Sequence, residues 1–312
     1  MRITELRVNL KNLDSVLDRS RTEFLGSVEA YPDFRARFSI GLLDPNTEIK
    51  YFEMLESEEV CASFMLVYKQ MRLNLKVVRV CFLTQVIVSK RFRGQGLTYR
   101  IAEYAERQAI SDRIAVTFVV ARRAVRDLYA KLGFVGFSHF CRISLREPGG
   151  VGISNLKKIT SPQESDLKSI LSMYEDSYSE LNFHFNRCEE SFKGFLNLPK
   201  YCLQIASDKS FYFVSSSNEV IEIGMLKKAK SSDVLSTLLS EGFDCLKLHR
   251  EHEISKYAVS QGMHYSERFE SREGHLLRIH IENLSVSQAR DLEAYTKFPG
   301  TQSAEILEID QW

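Results

Sequence analysis

At 312 residues the chain has room for about two domains of the usual ~150 residues, each able to bury its own core. Hydrophobic residues at 44% and charged residues at 27%, with 15 Gly and 6 Pro, exclude wholesale disorder and collagen-like repeats. The net charge of +1 is uneven: residues 1–150 carry 24 Lys and Arg against 17 Asp and Glu, and residues 151–312 carry 18 against 24, which predicts two separate units. The basic half has no run of five cations, so a small polyanion suits it better than a nucleic acid. The 6 Cys form no CxxC pair and no cluster with His, so neither a metal site nor a disulfide framework is expected. The longest uncharged apolar stretch, Val80 to Val88, is far short of the roughly 18 residues of a membrane span. Arg2, Glu5 and Arg7 break any signal-peptide apolar region. The expectation is a cytoplasmic protein with no membrane partner.

The chain opens with an apolar alternation at Ile3, Leu6 and Val8. Leu13, Val16, Leu17, Phe24 and Leu25 follow at helical spacing, entered near Asn12 or Asp14. Ile49 to Leu55 and Val60 to Tyr68, split by Glu56-Ser57-Glu58-Glu59, read as a hairpin. Val77 to Val88 is apolar at nearly every position, as in a strand covered on both faces. Leu97, Ile101, Tyr104, Ala105 and Ala109 share one helical face. Ile114 to Val120 then reads as strand, Ala124 to Leu132 as helix closed by Gly133, and Val135 to Leu145 as a single strand. Glu147-Pro148-Gly149-Gly150 marks a boundary. Beyond it, helices are expected near 163–178, 189–198, 232–239 and 251–259. Strands are expected near 201–206, 211–215, 220–225, 245–248, 264–269 and 276–281. The order of elements repeats that of the first half, although residue-level identity between the halves is too low to establish a duplication. An α/β mixed-sheet architecture follows, with one unit at residues 1–146 and another at 151–312.

The sharpest feature is Arg91-Phe92-Arg93-Gly94-Gln95-Gly96-Leu97-Thr98, lying between an apolar strand and a helix. Its glycines permit a tight turn that aims successive amides and a helix N-terminus at one anion. Lys90, Arg91, Arg93 and Arg100 add positive charge without a nearby acid in sequence. The P-loop and the Rossmann loop do not apply, because Gly-Lys-Ser/Thr is absent and the glycine spacing differs. This segment resembles the acetyl-CoA signature of the GNAT superfamily of acyl-CoA-dependent N-acyltransferases. The match continues downstream in Tyr129-Ala130-Lys131-Leu132-Gly133-Phe134, which is similar to the family's Tyr-x-Lys-Leu-Gly-Phe string and covers residues 1 to about 146 together with the loop.

The resemblance implies a GNAT fold and acetyl-CoA, or another acyl-CoA, as co-substrate. It implies that Val86, Ile87 and Val88 offer backbone to the pantetheine arm, and that Arg91, Arg93, Gly94, Gln95, Gly96, Leu97 and Thr98 hold the pyrophosphate. It also makes Tyr129 the residue that protonates the leaving thiolate. The plainer alternative for Tyr129 is an aromatic packed between helix and sheet. Two departures stand out. Val80 to Val88 contains no acid, only Gln85 as a polar amide, which cannot be a base. Deprotonation is then left to Glu53 or Glu56 through water, or to the carboxylate of Trp312, the glutamates being more often solvated strand or turn residues. Ala121 stands where relatives often have asparagine. Arg122, Arg123 and Arg126 are offered to the ribose phosphate and His139 to a substrate pocket, with a solvated face or a packed ring as the plainer alternatives. Phe24, Tyr31, Phe34 and Phe38 fall where the family builds its acceptor site, though their spacing suits core packing.

The second half carries Leu226-Lys227-Lys228-Ala229-Lys230 where the first has its glycine loop. It therefore resembles the degenerate second domain of tandem acyltransferases, one that does not bind CoA but walls the acceptor pocket or forms a homodimer contact. Asn182 to Arg187 is a polar-aromatic stretch that faces the cleft or staples a loop. The combined expectation is transfer of an acyl group to the primary amine of a small molecule or a protein. The alternative is a catalytically inactive CoA-binding or interaction module.

Overall fold

The computed structural model describes residues 1–23, 31–73, 76–122, 126–136, 140–145, 156–179, 183–195, 198, 200–249, 252–268 and 273–297. The first half runs β1 (Arg2–Arg7), α1 (Leu13–Glu23), α2 (Tyr31–Leu43), β2 (Glu48–Glu56), β3 (Glu59–Leu73), β4 (Lys76–Val88), α3 (Leu97–Ser111), β5 (Val116–Arg122), α4 (Arg126–Lys131), β6 (Val135–Gly136) and β7 (Phe140–Ser144). The second continues with β8 (Leu156–Lys158), α5 (Glu164–Tyr178), β9 (Phe183–Phe185), α6 (Glu189–Phe195), β10 (Tyr201–Ala206), β11 (Phe211–Ser216) and β12 (Glu219–Met225). It closes with α7 (Ser231–Ser240), β13 (Cys245–His249), α8 (Glu253–Ser260), β14 (Tyr265–Arg268), β15 (Glu273–Ile279) and α9 (Val286–Lys297).

Two mixed sheets result. The first has the order β1-β2-β3-β4-β5-β15-β6, with β9 added on β3, and the second β14-β7-β13-β12-β11-β10-β8. In each, one pair is parallel, β4 with β5 and β12 with β13. The apolar continuity of β3 and β4 has its cause in burial on both faces. Met65, Val67, Val80 and Phe82 join α1 and α2 residues such as Leu13, Leu17 and Phe38. Phe64, Leu66, Cys81 and Leu83 instead pack with Leu97, Ile101 and Ala105 of α3. The second sheet repeats this, with α7 and α8 on one face and α5 and α6 on the other. Phe38 is thus a core residue, as its helical spacing allowed.

The division into sheets does not follow the expected division of the chain at 146/151. The run read as one strand, Val135 to Leu145, is two: β6 pairs with β15 in the first sheet, while β7 pairs with β13 and β14 in the second. Reciprocally β15, expected in the second unit, pairs with β5 in the first, from Glu273 opposite Arg122 to Ile279 opposite Val116. Each half therefore donates a strand to the other. The physical reason is that period-two alternation fixes which face of a strand is buried but not which sheet receives it. The stretch read as cleft or staple proves to be a staple. Phe183–Phe185 pairs with Met71–Leu73, and Phe185 stacks on Phe82 with ring centroids 6.0 Å apart.

A candidate cofactor cleft between two parallel strands

Parallel pairing of β4 with β5 runs from Val80 opposite Val116 to Leu83 opposite Val119 and stops there. Both strands continue. On its other side β4 stays paired with β3 up to Val88 opposite Ala62, and β5 stays paired with β15 up to Arg122 opposite Glu273. The two strands therefore splay at one end, leaving backbone at Val86, Ile87 and Val88 without a strand neighbour on the β5 side among the described residues. A bulge starts the splay: the β3–β4 register shifts between Ser63 and Met65, and Gln85 sits at φ 51°. Left-handed backbone at a non-glycine residue is strained, and such strain gathers at functional sites.

Past Val88 the chain makes a 3₁₀ turn at Lys90–Phe92, which buries Phe92. It then passes Gly94 and Gly96 at φ 81° and 72° and enters α3. Gly96 is the helix N-cap and provides no side-chain cap, so the first amides of α3 have no intrahelical partner and none from the N-cap side chain. A Cβ built at either glycine meets no atom within 4 Å. The loop thus presents open amides and the positive end of a 15-residue helix beside the splayed strand. These residues fit a diphosphate. The cations around them are less free than the sequence suggested. Arg91 pairs with Glu59 at 2.9 Å, correcting the expectation that no acid stands near, while Arg93 Nε donates to the carbonyl of Val88 at 3.2 Å. Gln95 is exposed, Leu97 is buried and anchors α3, and Thr98 is half-buried.

Tyr129 lies in α4, 3% exposed, in the core group that also holds Val119, Leu132, Phe134 and Leu276, flanked by Val86 and Val88. Its ring meets Phe134 edge-on at 5.5 Å. Burial pushes its phenol up to about 12, so the hydroxyl keeps its proton at neutral pH. Gly133, at φ 81°, ends the helix. What holds α4 is Arg278 of the exchanged strand, which donates to the carbonyl of Leu132 and pairs with Glu106 of α3. Sequence reading gave no sign of this, because the residue lies in the chain's last quarter. We expect Arg278→Ala to loosen α4, so that amide exchange of residues 128–134 rises at least tenfold while exchange in α7 is unchanged.

Among the remaining candidates, Glu53 Oε1 accepts the Tyr51 hydroxyl at 3.0 Å, and Glu56 is exposed at the end of β2. Phe24, His139, Arg123 and Trp312 lie outside the described residues, as do the side chains of Tyr31, Phe34, Ala121, Arg122 and Arg126. Among the described residues no three His, Cys, Asp or Glu gather as a metal site, and no helix is long and apolar enough to cross a membrane.

The second sheet repeats the splay and closes it. Its parallel pairing ends at Val220 opposite Leu246. Beyond that pair, His252 Nε2 donates to the carbonyl of Ile223 at 3.1 Å and its Nδ1 accepts the Ile254 amide at 3.2 Å. Both bonds require the neutral ring, and complete burial pushes His252 down to about 4. The loop between Met225 and α7 contains no glycine, and the N-cap of α7 is Lys230.

Comparison with known proteins agrees with this geometry. Residues 13–134 match the family model described as acetyltransferase (GNAT) family. No curated protein matches the chain. Among solved structures, a conserved Enterococcus faecalis protein described as a probable N-acyltransferase is similar at 11% identity and a TM-score of 0.66, over 89% of this chain and 73% of that one. A tandem GNAT protein from the clavulanic acid biosynthesis pathway superposes at 9% identity and TM-score 0.52, over 89% and 98% of the two chains. Saccharomyces cerevisiae N-myristoyltransferase with bound myristoyl-CoA gives 10% identity and TM-score 0.54, over 89% and 79%. At these identities the likeness is one of fold.

Proposed function

This chain belongs to the GNAT superfamily through its residues 13–134, and from that premise we propose that it transfers an acetyl or longer acyl group from acyl-CoA to a primary amine. The observation that carries the reading is the conjunction of a strand splayed beyond Leu83 and an uncapped helix N-terminus at Gly96. The first suits the extended, amide-bearing arm of the cofactor, which pairs with free strand backbone as an added strand does. The second suits its diphosphate. Acyl-CoA supplies the activated thioester when bound. For the protein's part, the backbone of Val86–Val88 would hold the arm, and an amide of that strand would donate to the thioester oxygen as charge develops on it. Tyr129 keeps a proton for the departing sulfur. The second unit, its own splay closed by His252, supports the first through β15 and β9.

A second reading is favoured by one observation, the lack of any carboxylate on β4 from Val77 to Val88: a CoA-binding module without turnover. Calorimetry with acetyl-CoA, followed by a free-thiol assay across sugar amines, aminoglycosides, amino acids and peptides, tests both. Micromolar binding with amine-dependent thiol release supports the transferase, binding alone supports the module, and no binding removes both. We expect Tyr129→Phe to leave acetyl-CoA binding within twofold and to slow turnover about 100-fold, the usual worth of a placed general acid. Unchanged turnover would remove Tyr129 from the chemistry.

A further inference from the structure

The staple formed by Phe183–Phe185 runs on into a buried cation. Phe185 enters the core of the first sheet, and the next residue stays with it: the Asn186 amide donates to the Gln70 carbonyl at 3.0 Å and its Nδ2 to Gln70 Oε1 at 3.2 Å. Arg187 then turns into the second unit. Its Nη1 stands 3.0 Å from Glu222 Oε2 of β12, the two side chains being 3% and 0% exposed. Withdrawing two charges from water is expensive, and a buried pair adds little stability over apolar side chains of the same volume. Its presence calls for another explanation.

The surroundings match a guanidinium. Arg187 Cζ lies 5.0 Å from the ring centre of Tyr174 on α5 and 5.5 Å from that of Phe192 on α6. Those two rings meet edge-on at 5.9 Å and 71°, so the cation rests in the corner between them. Phe192 in turn meets Tyr212 of β11 edge-on at 5.6 Å, and the Tyr212 hydroxyl donates to Glu222 Oε1 at 2.6 Å. Burial, with Glu222 beside it, pushes the Tyr212 phenol well above its ordinary range, so it stays a donor. One carboxylate oxygen is thereby held and the other faces the cation. The Tyr212 ring lies against Gly224, where a Cβ would come within 2.1 Å of it, so β12 has no side chain there to displace the ring. Tyr174 ties the same cluster to β9, its hydroxyl donating to the Phe185 carbonyl at 2.9 Å. Two steeply inclined aromatic walls and a fixed carboxylate suit a flat, delocalised cation better than a compact ammonium.

We propose that Tyr174, Phe192, Tyr212 and Glu222 form a guanidinium socket, that its ligand is this chain's own Arg187, and that filling it holds β9 on β3. The socket stands whether or not the first unit transfers acyl groups. The test uses Arg187→Ala in the full chain, with amide exchange of residues 183–186 and a thermal melt as readouts and ethylguanidinium, the fragment removed, as the probe. Exchange rises at least tenfold and the melting temperature falls by about 10 °C, the usual consequence of leaving a buried charge without its partner. Ethylguanidinium at about 20 mM, a concentration suited to the weak affinity of so small a fragment, restores at least half of both losses. Ethylammonium at the same concentration restores neither, and adding Glu222→Gln to the variant abolishes the rescue. Arg187→Lys keeps the charge and covers the case in which the alanine variant does not fold. It still raises exchange at least threefold, because an ammonium does not lie flat against two rings. The socket is overturned if exchange at 183–186 stays within twofold of the parent in either variant, if the two probes rescue alike, or if rescue survives the loss of the Glu222 carboxylate.

Discussion

Gly96→Trp abolishes measurable acetyl-CoA binding, weakening it more than 100-fold, and leaves the protein folded. Two facts about Gly96 lead there. Its φ of 72° is left-handed, so any L side chain costs about 1–2 kcal/mol at this position. That is small against the ~5–15 kcal/mol of a typical domain. The space beyond it holds no atom within 4 Å of a Cβ, so an indole does not collide with the core; it covers the amides of Leu97 and Thr98 instead. Gly96→Ala separates the effects, since it carries the same backbone strain without the bulk, and it should weaken binding about tenfold or less. Calorimetry with acetyl-CoA and a thermal melt on both variants decide the matter. Full binding by the tryptophan variant would place the cofactor elsewhere.

Cutting the chain between residues 146 and 155 yields two fragments, neither of which folds alone, whereas co-expression restores one 1:1 particle. The amino-terminal fragment keeps β7 with no second sheet to receive it, exposing Ile143 and Leu145, which are 0% and 4% exposed in the whole protein. The other fragment keeps β15 and exposes Leu276 and Leu277, 2% and 0% exposed. At about 1.5–3 kcal/mol for each such side chain, the exchanged strands account for a large part of a typical domain's stability. The vacated places matter as much: β6 loses its described neighbour β15, and β14 loses β7. Size-exclusion chromatography and circular dichroism of each fragment check this. A monomeric, cooperatively melting 1–146 fragment would show that the exchange is dispensable.

Much of this architecture was legible because it is local. Alternation and 3.6-residue periodicity placed β2, β3, β4, α3, α5, α7 and α8 within a few residues of their observed ends, apart from an extended β3. The Gly94-Gln95-Gly96 turn announced itself through residues that alone adopt its backbone cheaply. Pairing between distant segments leaves no such trace. The sequence of Glu273–Ile279 reads as strand whichever sheet takes it, so the exchange was invisible, and with it the grip of Arg278 on α4. The bulge at Gln85 was hidden for a related reason: glutamine is no marker of positive φ, and the register slip depends on the facing strand. Ionic partners were misread too, since Glu59 is 32 residues from Arg91 and meets it only through the hairpin.

The exchange of strands also fixes the order in which the molecule comes apart under traction. An unfoldase hauling from the carboxyl side reaches α9 and then β15, the strand wedged between β5 and β6. Extracting it severs Arg278 from Leu132 and Glu106 and frees the helix of Tyr129 while β8 and β10–β13 are still paired. Destruction of the chain therefore begins by disarming the distant half, and a partly threaded molecule is inert before it is small.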